Sequence, residues 1–392
     1  MKKLTALVLA LVLVFAMTGC VREGLVETQP TQPPLPVGAP PEDQVYTEPD
    51  PEDREASVKL LNYDPGTDAI WQALAKEYTE TTGIRVIVLT AASGAYGDVL
   101  PGQLDGKSPV TVFFAFDAGH IPVPCADLSG SAACSALIDP TLALTADGKT
   151  VGLPFHTESF GLLVHTELLE KTGFAPEDLL TVEGLTKAVR SVTAGLGFHP
   201  FAAPALGTPE VARLLFAAAE GDADTVRPIW DLAMKNFAGA PGELSQRTGA
   251  DSFDAFINGQ ALFCLASSAD LEVSEKIRLL PIPTADGGIV GLGSDGWWCV
   301  NGDASAVDIE ASIAFLDWVL TEKAAAFEDR SLPYGEGTLD PLTRQALALD
   351  TRRVPLAYPD AQQLELLREV LSAYAADPRA KTWTPVPEAF RK

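Results

Sequence analysis

From Ala56 onward the sequence predicts an α/β fold of mostly parallel sheets covered by helices on both faces. Two observations carry this. Short β-branched or aromatic runs alternate with helical patterns, the signature of crossover units rather than hairpins. The stretch is also about 340 residues long, too much chain for one small core and suited to two domains of ordinary size.

The elements follow in order. Val58-Lys59-Leu60-Leu61 reads as a strand and ends in the turn Asn62-Tyr63-Asp64-Pro65-Gly66. Asp68 then caps a helix whose apolar face is Ile70, Trp71, Leu74, Ala75 and Tyr78, and Gly83 stops it. The run Ile84 to Thr90 is a second strand, ending at Ala91-Ala92-Ser93-Gly94; a helix and the strand Val110 to Phe114 come next. In such sheets ligands sit beyond the carboxyl ends of the strands. The loops Asn62–Gly66, Ala92–Tyr96 and Phe116–Gly119 therefore face one way, which makes Asp64, Ser93, Tyr96, Phe114 and Asp117 candidate ligand contacts.

Ahead of this body lies a secretory leader. Met1-Lys2-Lys3 is a positive start, Leu4 to Ala16 an apolar run, and Met17-Thr18-Gly19-Cys20 a small-residue cleavage site with cysteine at the new N-terminus. The run is too short for a bilayer core of about 30 Å, which takes roughly 20 residues. The pattern resembles a bacterial lipobox, so Cys20 is expected to be acylated and the chain to work outside the cytoplasm on a lipid anchor. A plain cleaved leader is the alternative. Residues 21–55 hold eight prolines and nine acidic residues with few large apolar ones. Such a segment cannot bury enough surface to offset its ordering entropy, and it reads as an extended tether of residues 21–55, up to about 100 Å long.

Charge and cysteines bound the chemistry. The formal charge of −25 argues against nucleic acid and against docking on anionic lipid heads. Cys125, Cys134, Cys264 and Cys299 remain for an oxidising compartment, and four cysteines allow three pairings. The pairing expected is Cys125 with Cys134, closing a short Ser/Gly/Ala-rich loop, and Cys264 with Cys299, each on a strand-like run; free buried thiols are the alternative. No metal or cofactor is expected: there is no Cys-x-x-Cys pair, no His-Glu-x-x-His, and the histidines are scattered. Gly291-Leu292-Gly293-Ser294-Asp295-Gly296 fits G-x-G-x-x-G in letters only, because a strand rather than a helix follows. Gly148-Lys149-Thr150 lacks the first glycine of a phosphate loop, with Ala143 in its place.

The most specific stretch runs from Asp147-Gly148-Lys149-Thr150-Val151-Gly152-Leu153-Pro154 through His156, Glu158 and Gly161-Leu162 to His165 and the helix Thr166–Gly173. It resembles the hinge-crossing signature of extracellular solute-binding proteins of carbohydrate ABC transporters, D-G-K-x-Y-G-L-P-x-x-x-E-x-x-G-L-x-Y-N. The likeness continues in order: Thr181-Val182-Glu183-Gly184-Leu185, Asp254 to Phe263, Leu279 to Pro283, Gly293 to Asn301, and the helix Ile309–Leu320. Thr90 to Gly94 and Trp298 to Asn301 are closest to the clostridial lipoproteins of this family.

The resemblance implies a periplasmic-binding-protein-like clamshell of two lobes joined by three crossings, near Phe155–Phe160, near Cys264 and near Leu332–Gly335. The lobes would be 56–157 plus 265–332 and 158–264 plus 333–392, following the leader 1–20. It implies a monomer that captures a sugar or short oligosaccharide and delivers it to ABC permease subunits, with no catalysis. Pyranose faces stack on aromatic rings and hydroxyls need charged or amide partners. Trp297 and Trp298 beside Asp295 offer both, and strand alternation makes one ring stack while the other packs; Trp298 is the one expected in the cleft. Glu158 matches the hinge carboxylate that bonds sugar in relatives, and Asp64 and Asp117 match acidic loop positions. Three departures stand out: Cys264 to Ala269 and Ala203 to Leu206 lack the aromatics of relatives, and His165 replaces their asparagine. A sensor or adhesion role on the same clamshell, and a glycosidase using Glu158 with Asp64, Asp117 or Asp295, are the other readings.

Overall fold

The structure is a computed structural model and describes residues 55–105, 108–116, 121–202, 223–239, 249–268, 276–285 and 287–356. Cys20, the leader and nearly all of the tether lie outside the described residues, as do Asp117 and Ala203 to Leu206.

The first lobe begins as the sequence predicts. β1 (Ser57–Asn62), α1 (Asp68–Thr82), β2 (Arg85–Thr90), α2 (Tyr96–Leu104) and β3 (Val112–Ala115) form two crossover units. Strands β2, β1 and β3 lie side by side in parallel, with Ser57 opposite Arg85 and Leu60 opposite Val112. α1 buries Trp71, Leu74, Ala75 and Tyr78 and ends at Gly83 in the left-handed region (φ 77°), where a glycine has no Cβ to strain. Asp68 is the first helical residue rather than the cap; the cap position is Thr67. α3 (Ala132–Ala136), β4 (Leu144–Ala146) and β5 (Lys149–Pro154) complete the run.

The chain then crosses. The second lobe holds β6 (Glu158–His165), α4 (Thr166–Thr172), α5 (Val182–Thr193), β7 (His199–Phe201), α6 (Ala223–Lys235), α7 (Gly249–Ile257), β8 (Ala261–Ser267), β9 (Ile277–Leu280), β10 (Ile282–Thr284) and β11 (Gly287–Gly293). β12 (Trp297–Val300) and α8 (Ala306–Glu322) return to the first lobe; α9 (Pro341–Ala348) and β13 (Arg352–Pro355) belong to the second. The sheet orders are β2-β1-β3-β12-β5-β4 and β10-β11-β6-β8-β7, with β13 on β11 and β9 on β6.

Two expectations are corrected here. The sheets are mixed rather than mostly parallel. β12 runs antiparallel to β3 and β5, and β6 antiparallel to β8, β9 and β11, because a strand that enters from the opposite lobe starts at the crossing and runs away from it, against the strands that end there. The second crossing is Ser294–Gly296, between β11 and β12, not near Cys264. β8 pairs with β6 from Phe263 to Ser267, and β9, β10 and β11 stay in the same sheet. Residues 265–293 thus belong to the second lobe. The third crossing lies between Tyr334, packed in the first core, and Leu342, packed in a core of the second.

The crossings are laced together by hydrogen bonds to backbone carbonyls. Thr157 N donates to Ser331 O (2.7 Å), Thr157 Oγ1 to Gly293 O (2.9 Å) and Phe155 N to Gly296 O (3.4 Å). Gly296 is required by close approach: a Cβ there would lie 2.3 Å from the Phe114 ring. The first lobe has one core around Trp71, Phe113, Phe155, Trp298 and Phe315; the second has a core on each face of its sheet.

His165 ends β6, 4% exposed, with its ring edge-on to Phe256. Burial holds its imidazole below the ordinary pKa; Glu167 pulls the other way and Lys276 and Lys171 add to the lowering. The folded state therefore resists a proton that the unfolded chain accepts near pH 6.5. The stability this gives is complete above that pH and is lost as pH falls through it toward the folded value. Melting temperatures between pH 7.5 and 5 should fall more steeply in the wild type than in His165→Asn, and parallel curves would show that His165 is not the group responsible.

Candidate ligand cleft between the lobes

The loop after β1 is fixed from within. Asp64 accepts from Gly66 N (2.8 Å), and the buried Asn62 accepts from Asp64 N (3.2 Å), which holds Tyr63 over the sheet end. The Tyr63 ring stacks on Phe114 (centroids 4.1 Å, interplanar 27°) and meets Phe116 edge-on at 5.1 Å. Tyr96 closes the group: its hydroxyl accepts from Phe114 N (2.6 Å) and donates to Phe114 O (3.1 Å). Phe114 is buried, whereas Phe116 is 49% exposed, the most exposed large apolar side chain among the described residues.

Arg330, just ahead of the third crossing, reaches this group. Its guanidinium pairs with the Asp64 carboxylate, donates to the Tyr63 hydroxyl (3.2 Å) and lies 5.4 Å from the Phe155 ring centre. Burial pushes the Tyr63 phenol far above its ordinary pKa; Arg330 opposes the shift, while Asp295 and Asp64 add to it. Asp64, Arg330 and Asp295 thus surround one tyrosine.

Beside Arg330 a hollow of about 550 Å³ opens between the lobes. The first lobe lines it with Phe327 to Ser331, the second with Ser268 and Asp340, and His156 of the first crossing lies between. His156 Nδ1 accepts from Ser331 N (3.3 Å). Asp340 caps α9, accepting from Leu342 N and Thr343 N (both 2.9 Å). Ser268 Oγ accepts from Ser159 N (3.0 Å) and exchanges a bond with Thr343 Oγ1 (3.0 Å). The lining is carboxylate, guanidinium, imidazole and hydroxyl, a set that offers both donors and acceptors. A second hollow, about 540 Å³, lies between Asp139, Leu142 and Trp297 on one side and Gly293, Arg353 and Leu356 on the other, spanned by an Arg353–Asp139 ion pair of 3.2 Å.

The predicted residues divide accordingly. Asp64, Tyr96, Phe114 and Asp295 gather around Tyr63. Ser93 is exposed, three residues ahead of Tyr96 at the start of α2. Glu158 is 1% exposed and accepts from Ser267 Oγ at the N-terminal end of β6. Trp297 is half-buried, donates to Leu142 O (2.7 Å) and lines the second hollow. Trp298 is the correction: it is fully buried against Trp71 (5.0 Å), Phe114 (5.1 Å) and Phe155 (5.6 Å). One ring of the pair does pack, but the packed one is Trp298, since it points to the face covered by α1. Sequence reasoning passed over Tyr63, Phe116, His156, Ser268, Arg330 and Asp340. Tyr63 and Phe116 stood in the very loops named, and Arg330 just ahead of the third crossing.

The expected disulfides are also corrected. None of Cys125, Cys134, Cys264 and Cys299 is joined in a disulfide. Cys264 sits in β8 of the second sheet and Cys299 in β12 of the first, so that pair is divided between lobes. Cys134 lies against Thr150 Oγ1 (3.5 Å) rather than Cys125. Among the described residues no cluster of His, Cys, Asp and Glu is placed to hold a metal ion, and no helix is long and apolar enough to cross a membrane.

The model of the family described as bacterial extracellular solute-binding protein matches residues 73–335, and the chain belongs to this family. Its members bind solutes and are not enzymes. Among solved structures, a bacterial solute receptor, AcbH, described as preferring β-D-galactopyranose exclusively, superposes with a TM-score of 0.66 at 15% identity, covering 87% of this chain and 97% of its own. A probable secreted solute-binding lipoprotein from Streptomyces coelicolor gives 0.65 at 16% identity, over 87% and 100%. A family 1 extracellular solute-binding protein from Bifidobacterium longum subsp. infantis gives 0.64 at 15%, over 86% and 97%. At these identities the likeness shows the fold: a two-lobed solute-binding architecture. A search of curated protein sequences finds no match.

The two aromatic sites predict opposite phenotypes. Trp298→Ala should remove about 3–5 kcal/mol of stability, as loss of a fully buried large ring does, and lower the melting temperature of the unliganded protein. Phe116→Ala should leave that temperature within a degree or two. Thermal melts of both variants check this, and an unshifted Trp298→Ala would place the ring outside the core.

Proposed function

We propose that the protein is an extracytoplasmic receptor that captures a sugar or short oligosaccharide between its lobes and delivers it to ABC permease subunits. In this reading residues 1–20 are the leader, Cys20 carries lipid, and residues 21–55 hold the body clear of the membrane. The observation that carries it is the exposed Phe116 ring beside the Tyr63–Arg330–Asp64 group, which borders a polar hollow between the lobes. An apolar sugar face stacks on such a ring, while its hydroxyls take charge-assisted bonds, worth about 1.5–3 kcal/mol each, from fixed carboxylates and guanidinium. A volume of about 550 Å³ falls in the usual range for small-molecule sites. Family membership and the sugar receptor among the structural neighbours support the ligand class. Glu158 and Asp117 are the further carboxylates this reading assigns to ligand.

Thermal-shift screening of the purified protein against mono- and oligosaccharides tests the ligand. A sugar at a hundredfold excess over its dissociation constant stabilises the folded state by about 2.7 kcal/mol, and Phe116→Ala should weaken it at least tenfold, about 1.4 kcal/mol. Stabilisation by amino acids or peptides but by no carbohydrate would overturn the sugar assignment. Silence across all small solutes would favour a sensor or adhesion role.

The anchor has its own test. Cys20→Ala should release the protein from the membrane fraction or leave it unprocessed, and mass spectrometry of the native N-terminus should find diacylglyceryl on Cys20. A mature N-terminus elsewhere, without lipid, would remove the tether.

A further inference from the structure

One pair of thiols is in contact. Cys125 stands opposite Asn301 in an antiparallel bridge. The bridge is closed by Ala126 N to Val300 O (2.9 Å) and Gly302 N to Pro124 O (2.7 Å). Cys299, two residues before Asn301, falls on the same face as Cys125, at the diagonal position where side chains of adjacent strands meet. Cys125 Sγ lies 3.8 Å from Val123 O and Cys299 Sγ 3.9 Å from Trp297 O, and the two thiols shift each other's pKa. The space for this contact is made by Gly152 on β5. A Cβ there would lie 3.1 Å from Cys299 Sγ and 2.8 Å from Trp297 Cβ.

The two thiols differ in a way that orders their chemistry. Cys125 is partly exposed and Cys299 wholly buried. Hydrogen bonding with Cys299 holds the Cys125 thiol below its ordinary pKa, while the same interaction and burial raise that of Cys299. An accessible thiol of lowered pKa backed by a hidden partner is the arrangement of an attacking and a resolving cysteine. Cys134 lies beside Thr150 and Cys264 in the second lobe, both away from this pair.

We propose that Cys125 and Cys299 form a redox site that oxidises to an intramolecular disulfide, tying the segment Pro124–Ala126 to β12. The oxidant is a disulfide-bearing thiol oxidant of the extracytoplasmic space. The Cys125 thiolate attacks one sulfur of that disulfide, forming a mixed disulfide and expelling one donor thiolate. Cys299 then gives up its proton and attacks the Cys125 sulfur, forming the Cys125–Cys299 bond and expelling the second donor thiolate. Two electrons and two protons pass from the protein to the donor, which leaves as two thiols. The bond would fix Cys125 to Cys299, two residues along β12 from Trp297.

Oxidised glutathione is the probe. The reduced full chain is incubated with it, denatured, alkylated without reductant and mapped by mass spectrometry. Expected is a peptide pair joined through Cys125 and Cys299, with Cys134 and Cys264 alkylated. Four alkylated thiols, a glutathione adduct that persists on Cys125, or a link to Cys134 or Cys264 would each overturn the proposal. Cys299→Ala should trap the adduct on Cys125, and Cys125→Ser should leave Cys299 unmodified. Reduction should lower the melting temperature of the oxidised wild type by roughly 5 °C or more and leave both variants unmoved. An unchanged wild-type temperature would overturn the tether.

Discussion

The structure turns on how three chain crossings share one buried joint. Thr157, Ser159, Ser294 and Ser331 are each under 9% exposed, and all sit where backbone passes from one lobe to the other. Backbone groups in such a place cannot reach water, and an unpaired one costs about 1–3 kcal/mol. Each crossing therefore satisfies its neighbours: the first bonds the third through Thr157 N and Ser331 O, and the second through Thr157 Oγ1 and Gly293 O. Tyr334 Oη donates to Pro154 O (2.6 Å), binding the first-lobe end of the third crossing to the end of β5. The positions of both lobes' strand ends, and of every candidate ligand group, follow from this joint.

Aromatic packing carries the joint's order outward to the cleft wall. Trp298, Trp71, Phe155 and Phe327 form a continuous set of tilted and edge-on contacts at 4.9–5.7 Å under the strand ends. Phe114 rests on that set, Tyr63 on Phe114, and Phe116 on Tyr63. Exposure rises along the series until the last ring has half its surface in water. Arg330 lies over both Tyr63 and Phe155, so its charge is held by rings as well as by Asp64. The outermost ring is preorganised by burial of the inner ones, which lowers the entropy a ligand must remove on binding.

How much of this the sequence disclosed varies by physical cause. β1, α1 and β2 were legible because period and stop signals agreed: Trp71, Leu74, Ala75 and Tyr78 share a helical face, and Gly83 takes the left-handed position. The two-lobed fold was legible from an ordered set of motifs. The second crossing was misplaced because Ala261 to Ser267 and Gly287 to Gly293 are both apolar runs. Either could have been the strand that leaves the lobe, and only pairing partners decide. Alternation showed that Trp297 and Trp298 face opposite ways, but the covered face is set by α1, an element 230 residues earlier in the chain. The cysteine pairing failed for the same reason. Loop length favoured Cys125 with Cys134, while Cys299 is brought to Cys125 by a sheet register that no local signal encodes.

The choice of side chains at the joint bears on what the molecule can do. Ser159, Ser268, Thr343, Asp340 and Ser331 form one connected hydrogen-bonded set from β6 and β8 through the cap of α9 to the third crossing. Apolar residues there would pack at a single best angle, since dispersion contacts fall away within an ångström. Hydroxyls both donate and accept and turn about one bond, so a small rotation exchanges partners without stranding a buried charge. The one carboxylate in the set, Asp340, is spent on the helix cap, where two backbone donors already hold it. A joint of this composition holds the lobes in register through bonds that can exchange, and three of its members, Ser268, Ser331 and Asp340, also line the hollow between them.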